Sequence, residues 1–584
     1  MRLFWLVAGA TSIVYHLGLI FYGLVPNLVS RPLHMALVIP WALVFMARGA
    51  VSRQSGVALA LLAMPACLYI AINQATLADQ YGYLEGTLQY GIAAILVLCI
   101  LEMARRAIGW PLPLVASLAL AYGFLGHFIP GEFGHPGLPI GSFLGTLTIT
   151  EGGIWGKLTG VSVNIVAVFV ILGAVLNAGE AGQGFMNLAH AAAGRLKGGA
   201  AKVSVIASAL FGSISGSASA NVASTGAITL PAMTRLGYPK SLAGAVEAVA
   251  SSGGQIMPPL MGAGAFVMVE LTGVPYTGIM AAALPPAMLY FIAVWVGINA
   301  HARNHSLPGL PAEDRPGIRQ VVVTASFFLV PFGVLLERMF VGGFTAQYAA
   351  AMAILTAFVL LMLDDRLQLS HERTRERLAQ TCLTAGRQVA MIGSIILCAG
   401  IIIGVLGQTG LGVKITSVIL SVADGRLWPA LLLTALACLL LGMEVPTTAA
   451  YVICVSVAGP ALIELGLEPL LVHLFVFWYA LLSTITPPVC GAVFIAAGMV
   501  EENWLRVALS AMALGAGLYI IPLAMVLHPD LINLASNPVD TALDFVQTAF
   551  GLSALSFGLI LKRPLWIRPL FLFAGVVLLL LVRV

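Results

Sequence analysis

FGSISGSASANVASTG, residues Phe211–Gly226, is the longest run of small polar residues in a chain of 584 residues that is 60% hydrophobic and only 9% charged. A soluble globular chain carries about a quarter charged residues, so this one reads as an all-α, polytopic membrane protein interrupted at a few chosen places. The interruption recurs. LGMEVPTTAA, Leu441–Ala450, sets Gly442 at 230 residues from Gly212 (442 − 212). Each copy is followed by a double proline, Pro258 and Pro259 and then Pro487 and Pro488, 229 residues apart (487 − 258). The pattern predicts an internal repeat built around a functional site.

Composition removes several function classes. The formal net charge of +4 is spread over short loops and leaves no basic stripe for nucleic acid. The seven cysteines, Cys67, Cys99, Cys382, Cys398, Cys438, Cys454 and Cys490, lie in or beside apolar segments, and neither CxxC nor HExxH spacing occurs, so no disulfide framework and no resident metal or cofactor is expected. The ten histidines form no ligand cluster. With no nucleophile and base recurring together at depth, the chain is not expected to be an enzyme. Leu3–Leu24 is too long for a signal-peptide core and is read as a retained span.

Apolar windows able to cross ~30 Å of hydrocarbon fall near residues 3 to 24, 32 to 48, 55 to 73, 88 to 104 and 111 to 128. A Gly/Pro-rich loop reaches to about 160. Further windows lie near 162 to 178, 241 to 270, 278 to 299, 321 to 337, 346 to 363, 388 to 407, 470 to 499, 507 to 527, 543 to 560 and 567 to 582. Segments 203 to 232 and 427 to 465 are instead two apolar arms around a Gly/Ser/Thr/Pro tip. They read as re-entrant hairpins, the alternative being two short full spans in each place.

Arg366, Arg373, Arg375, Arg377 and Arg387 make the loop from Asp364 to Arg387 cytoplasmic by the positive-inside rule. Counting outward adds Arg195, Lys197, Lys202, Arg235, Lys240, Arg303, Arg315 and Arg319 to that side, with Arg31 and Arg338 as misfits. The second hairpin, flanked by Asp424, Arg426, Glu464 and Glu468, then opens on the opposite side. An odd number of spans separates the two repeats, which inverts them in the membrane and predicts a site at their interface near the midplane.

Backbone that leaves the helix inside a bilayer is tolerated only where it lines a cavity or is buried in protein. The tips supply such backbone: Gly212, Gly216 and Gly442 allow tight turns, and Pro446 ends a helix. Ser213, Ser215, Ser217, Asn221, Thr447 and Thr448 supply oxygens. Helix C-terminal carbonyls with hydroxyls suit a dehydrated Na⁺, whereas N-terminal helix ends suit a carboxylate. SSGGQIMPPLMG, Ser251–Gly262, and STITPPVCG, Ser483–Gly491, put prolines and hydroxyls in mid-span, where a broken helix frees carbonyls one turn back. Glu102, Glu247 and Glu444 are the ionisable residues within apolar segments, each costing about 2.5–3.5 kcal/mol on insertion scales. Glu102 precedes Arg105 and Arg106 and reads as salt-bridged. Glu247 is either an ion-path residue or a helix-end carboxylate. Glu444 either carries charge or a proton, or reaches external water.

The runs FGSISGSASANVASTGAITLPAM, GAVEAVASSGGQIMPP, GMEVPTTAAY and TPPVCGAVFIAAGM resemble the large membrane subunit of tripartite ATP-independent periplasmic (TRAP) transporters. LEMARRAIGWPLP, Leu101–Pro113, is similar to the end of the small subunit, as in the fused form that works with binding proteins of the TAXI type. The resemblance implies small-subunit-like scaffold spans over 1–130, a transport unit over 150–528 with inverted repeats at about 162–300 and 388–528, and extra spans over 540–584. It also implies an elevator-type secondary transporter of the prokaryotic cytoplasmic membrane that imports an organic acid with Na⁺ as coupling ion, a monomer sufficing. On it, Ser215, Gly216, Ser217, Asn221, Ser251, Gly253, Gly254 and Met257 hold one ion, and Val445, Thr447, Thr448, Thr484, Thr486 and Pro487 the other. The substrate lies between the tips, beside Ser219, Pro258, Pro446 and Pro488. Glu444 departs from the family pattern, which has glycine there. The competing readings are a stand-alone Na⁺/dicarboxylate symporter and a non-transporting membrane scaffold.

Overall fold

The computed structural model describes residues 2–369, 371–442, 446–488, 490–561 and 567–581. Glu444 and Val445 lie outside the described residues. Eleven helices among those described are long and apolar enough to cross a bilayer, and the pair Trp504–Leu514 and Ala516–Leu527, bent by 65°, brings the number to 12. With hydrocarbon on the outside, helices keep every backbone group paired within the segment, which is why such a sequence has so few other options. The protein is a multi-pass membrane protein.

One helix organises the rest. His371–Thr409 runs for 39 residues and packs against Arg2–Tyr22, Gly86–Ile108, Pro111–Leu125 and Ala167–Ala178. Its approach to these neighbours is close because small residues face them. A Cβ on Gly386 would stand 2.4 Å from the Trp41 ring, and one on Gly9 would stand 2.2 Å from the Cys382 carbonyl oxygen. This helix corrects the reading of Asp364–Arg387 as a loop. Helix begins at His371, since the charges of its first turns sit on a continuous helical run rather than in a connection.

Two helices, Ala181–Ala193 and Leu411–Val422, fall outside every apolar window, and Ile140–Thr148 adds a helical turn or two to the stretch read as loop. The windows 241 to 270 and 470 to 499 are each two helices, Lys240–Gly253 with Ala263–Thr272 and Pro469–Leu482 with Gly491–Val500. The breaks fall at the double prolines, and Pro258–Pro259 and Pro487–Pro488 both contain a cis bond.

The two proposed hairpins are helix pairs, Gly199–Ser215 with Ala218–Arg235 and Leu427–Leu441 with Thr447–Glu464. The two units interlock crosswise. Ala218–Arg235 packs on Gly491–Val500, the far part of the second broken helix, while Thr447–Glu464 packs on Ala263–Thr272, the far part of the first.

The N-terminal helices are tied to the remainder by buried polar contacts. His16 Nε2 and His34 Nδ1 are 2.8 Å apart, and His34 Nε2 lies 3.1 Å from Ser162 Oγ. Arg31 and Arg338, which break the positive-inside pattern, are both neutralised locally. Arg31 donates to Glu151 at 3.0 Å and to the Trp155 carbonyl, and Arg338 pairs with Glu337 at 3.1 Å beside the Phe344 ring. At the other end, Pro538–Ile560 and Ile567–Leu580 pack on each other, the former also covering Tyr276–His305.

Candidate functional site

The first tip turns because Gly216 takes φ +59°, a left-handed conformation glycine adopts without penalty, and donates its N–H to the Gly212 carbonyl at 3.1 Å. Ser217 then caps the returning helix, its hydroxyl accepting from the Ala220 N–H at 3.4 Å. Ser215 and Ser217 make only long contacts here, so both hydroxyls can turn toward a ligand. In the second tip Pro446 precedes Thr447, and the Pro446 carbonyl accepts from Ala450 at 3.0 Å.

Both tips open on one cavity of ≈ 1120 Å³, large enough for a small organic ligand. Ser215, Gly216, Ser217 and Ser219 line it from the first tip, and Gly442, Pro446, Thr447 and Thr448 from the second. The breaks contribute Gln255, Leu260 and Met261 on one side and Thr484 and Gly491 on the other. The tips also meet each other's breaks directly: a Cβ on Gly491 would stand 3.4 Å from Ser219 Oγ. Ser252 Oγ and Thr484 Oγ1, one from each broken helix, are 2.8 Å apart.

Other expected residues stand behind this surface. Asn221 is fully buried and donates its side-chain N–H groups to the Ser208 carbonyl at 2.8 Å and the Ser251 carbonyl at 3.2 Å, bracing the hairpin against the helix before the first break. Gly254 is pressed on Gly212, where a Cβ would stand 2.6 Å from the Gly212 Cα, and Gly253 faces the Tyr290 ring. Thr486 donates to the Leu482 carbonyl at 2.7 Å and is 2.7 Å from the Tyr519 hydroxyl. Met257, Pro258, Thr486, Pro487 and Pro488 do not line the cavity.

Glu247, also fully buried, sits at the centre of a cage of hydroxyls. Ser204 donates to Oε2 at 2.7 Å, Ser251 to Oε1 at 3.2 Å and Ser208 to Oε1 at 3.4 Å, and Thr225 and Thr229 donate to the same carboxyl group. Three helices each give an i, i+4 pair to this cage: Ser204/Ser208, Thr225/Thr229 and Glu247/Ser251. That spacing places the two members of a pair on one helix face. It was a signal available in the sequence that only Glu247 drew attention to. Glu102 is salt-bridged as expected, to Arg105 and to Arg106, each at 2.6 Å.

A stripe from the long helix completes the cavity wall: Thr384, Arg387, Gln388, Met391, Ile392 and Ile395, at i, i+3, i+4, i+7, i+8 and i+11. Phe169, Phe266 and the turn Ile108–Pro111 add apolar surface. Sequence reasoning used Arg387 only as a loop charge and missed this face.

Residues 95–539 match the family described as "Tripartite ATP-independent periplasmic transporter, DctM component". The chain belongs to this family. Among its relatives, the C4-dicarboxylate TRAP transporter large permease protein DctM of Pseudomonas aeruginosa is 27% identical over 328 residues, covering 55% of this chain and 73% of that protein. The ectoine/5-hydroxyectoine TRAP transporter large permease protein UehC of Ruegeria pomeroyi is 24% identical over 411 residues, 68% of this chain and 90% of its own length. The sialic acid TRAP transporter permease protein SiaT of Haemophilus influenzae is 20% identical over 373 residues, 64% of this chain and 59% of its own. The DctM match takes in both hairpins, both breaks and Leu101–Pro113. TRAP permeases work with a periplasmic substrate-binding protein, and transport dependent on such a partner is what membership implies for this chain.

Proposed function

We propose that this TRAP permease imports an organic acid handed over by a soluble periplasmic binding protein of the TAXI type, driven by a Na⁺ gradient. The observation that carries the reading is the single cavity on which both tips and both broken helices converge. A transporter needs exposed backbone dipoles and hydroxyls at one place in the bilayer, and broken helices are the means of supplying them. The interlock of each hairpin with the other unit's break supports a core of the two hairpins and two broken helices that moves as one body against a scaffold of the N-terminal spans and the long helix. On this reading residues 1–130 stand for a fused small subunit.

Na⁺ is cargo in this scheme. The first ion takes oxygens from Ser215, Gly216 and Ser217, with Asn221, Ser251, Gly253, Gly254 and Met257 shaping the site from behind. Asn221, whose amide hydrogens already serve two carbonyls, acts there as the brace that holds the carbonyl oxygens in position. Glu247, one layer further back, serves as a charge or proton carrier. The second ion takes Thr447, Thr448 and Thr484, with Val445, Thr486 and Pro487 adjoining in the chain. Substrate lies between the tips against Ser219 and Pro446, with Glu444 a further charge or proton carrier in the second tip.

The test is uptake into proteoliposomes holding the full chain, with its binding protein outside and an imposed Na⁺ gradient. Uptake is expected to require both, and Ser217→Ala combined with Thr447→Ala to raise the Na⁺ concentration for half-maximal uptake several-fold. Uptake indifferent to Na⁺ and to the binding protein refutes the proposal, and unchanged Na⁺ dependence in the double variant refutes the ligand assignment.

A further inference from the structure

Arg387 is the one charged side chain among the described residues that line the cavity. Two other arginines of the same helix are spoken for: Arg373 pairs with Asp364 at 3.6 Å, and Arg377 with Glu180 and with the Leu361 and Leu363 carbonyls. Arg387 itself is exposed and has neither ion-pair nor hydrogen-bond partner among the described residues. A guanidinium is a planar, permanently charged fork that matches a carboxylate with two parallel hydrogen bonds. In a cavity walled by low-dielectric protein, such a charge concentrates anions.

The rest of the stripe bears on the body of the ligand beyond its carboxylate. Thr384, Arg387 and Gln388 make the polar end of the stripe, and Met391, Ile392 and Ile395 its apolar one. From Arg387 to Ile395 is ~12 Å along the helix at 1.5 Å per residue. We propose that Arg387 receives the carboxylate of the transported acid, and that the substrate class is an organic monoanion whose apolar body lies along Met391, Ile392 and Ile395. This rests on the reading of the chain as an organic-acid permease. One cation matches one carboxylate, and a second charge at the far end of a ligand lying along this stripe would meet Met391, Ile392 and Ile395, which offer nothing to offset its loss of water.

The full-length chain is tested with a reporter thiol. Thr384→Cys, one helical turn before Arg387 and on the same face, is made in a Cys382→Ser background, since Cys382 is the half-buried cysteine on that helix. Its rate of modification is measured with an anionic methanethiosulfonate (sulfonatoethyl) and a cationic one (trimethylammonioethyl). The ratio of the two rates cancels the thiolate fraction, which Arg387 also raises. The anionic reagent is expected to react about tenfold faster relative to the cationic one than it does in the Arg387→Gln form. Arg387→Lys is expected to recover part of the ratio. 4-Methylpentanoate is expected to slow labelling in the Arg387 chain and not in Arg387→Gln, while 4-methylpentanamide has no effect and succinate protects less.

Each variant is checked for a monodisperse size-exclusion profile. Equal rate ratios in the Arg387 and Arg387→Gln forms overturn the proposal. Protection by none of the three compounds, by acid and amide alike, or best by succinate overturns the substrate class. Labelling needs neither a gradient nor a binding protein. Loss of Na⁺-driven uptake with charge-selective labelling intact therefore faults the transport reading alone.

Discussion

The two hairpin units share a backbone plan and differ in chemistry. Behind the first tip lies the cage in which Ser204, Ser208, Thr225, Thr229 and Ser251 donate to Glu247, with Asn221 bracing two carbonyls beside it. At the matching offsets in the second unit stand Thr434 and Cys438 for the two serines, Tyr451 for Asn221, and Val476 for Glu247. Thr434 Oγ1 is buried there with no hydrogen-bond partner among the described residues, and Tyr451 has turned to His473 at 2.7 Å. The double prolines recur because both units must break a helix at the cavity, but the left-handed glycine does not: Gly216 takes φ +59°, whereas Gly442 is helical at φ −74°. The caged carboxylate does not recur, so the first hairpin is held to its neighbouring helix by a network of hydrogen bonds and the second by packing and the Tyr451–His473 contact.

The largest effect is expected where that difference is erased. Glu247→Val gives the first unit the residue found at the double-proline offset in the second, and removes the acceptor that five buried hydroxyls share. Thr225 and Thr229 can fall back on the Asn221 and Thr225 carbonyls, at 2.8 and 3.0 Å, but Ser204 is left with none of its present bonding. A loss of about 2–4 kcal/mol is expected from one or two buried groups left unsatisfied. Glu247→Gln, which keeps an acceptor oxygen, is expected to recover most of it. Thermal unfolding of the purified chain in micelles reads both, and a Glu247→Val chain as stable as its parent would show that packing holds the first unit too.

The next test compares the tip glycines. A Cβ at Gly212 would stand 2.4 Å from the Gly254 Cα, so Gly212→Ala must move backbone on the facing helix. At Gly442 the Cβ would meet Ser483 Oγ at 2.3 Å and Ser483 Cβ at 2.7 Å, with the Cys438 carbonyl oxygen at 2.9 Å, so the main obstacle is one side chain. Overpacking of roughly 2–3 kcal/mol is expected for Gly212→Ala, and about half that for Gly442→Ala. Adding Ser483→Gly is expected to restore most of the stability lost in Gly442→Ala, while no side-chain truncation opposite Gly212 relieves that variant. Equal costs, or failure of the Ser483→Gly rescue, would mean that the two tips are equally confined.

Legibility in the sequence divides along the same line. Tips and breaks were legible because polar small residues and prolines inside apolar segments have few explanations other than a broken helix. The cage was not, since its members are scattered from Ser204 to Ser251 and each serine or threonine alone is an ordinary helix residue. Arg387 was hidden by its own charge: an arginine at the edge of a hydrophobic window counts as a loop residue, and only the helix running from His371 turns it toward the cavity. Ala181–Ala193 and Leu411–Val422 escaped because 13 and 12 residues fall short of a span.

The smallest effect is expected at the joint between the units, and it is the most informative about motion. Ser252 and Thr484 touch at 2.8 Å, yet each hydroxyl also has a backbone acceptor on its own helix, Ala248 O at 2.8 Å and Leu481 O at 2.7 Å. Removing either hydroxyl therefore strands no buried group on the other side, and Ser252→Ala and Thr484→Val should each cost under about 1 kcal/mol. A double-mutant cycle isolates what the contact itself contributes, and a coupling of about 0.5–1 kcal/mol is expected. If the two units travel together, this contact is the same at both ends of the stroke, and Ser252→Ala should lower stability without changing the rate of Na⁺-driven uptake per folded molecule, while Thr484→Val, which also removes a proposed Na⁺ ligand, is read for stability alone. A Ser252→Ala change that leaves stability untouched but alters the uptake rate would mean that the contact is made in one state and broken in the other. The units would then slide past each other, and the crosswise packing of each hairpin on the other's break would be one of two arrangements rather than a fixed joint.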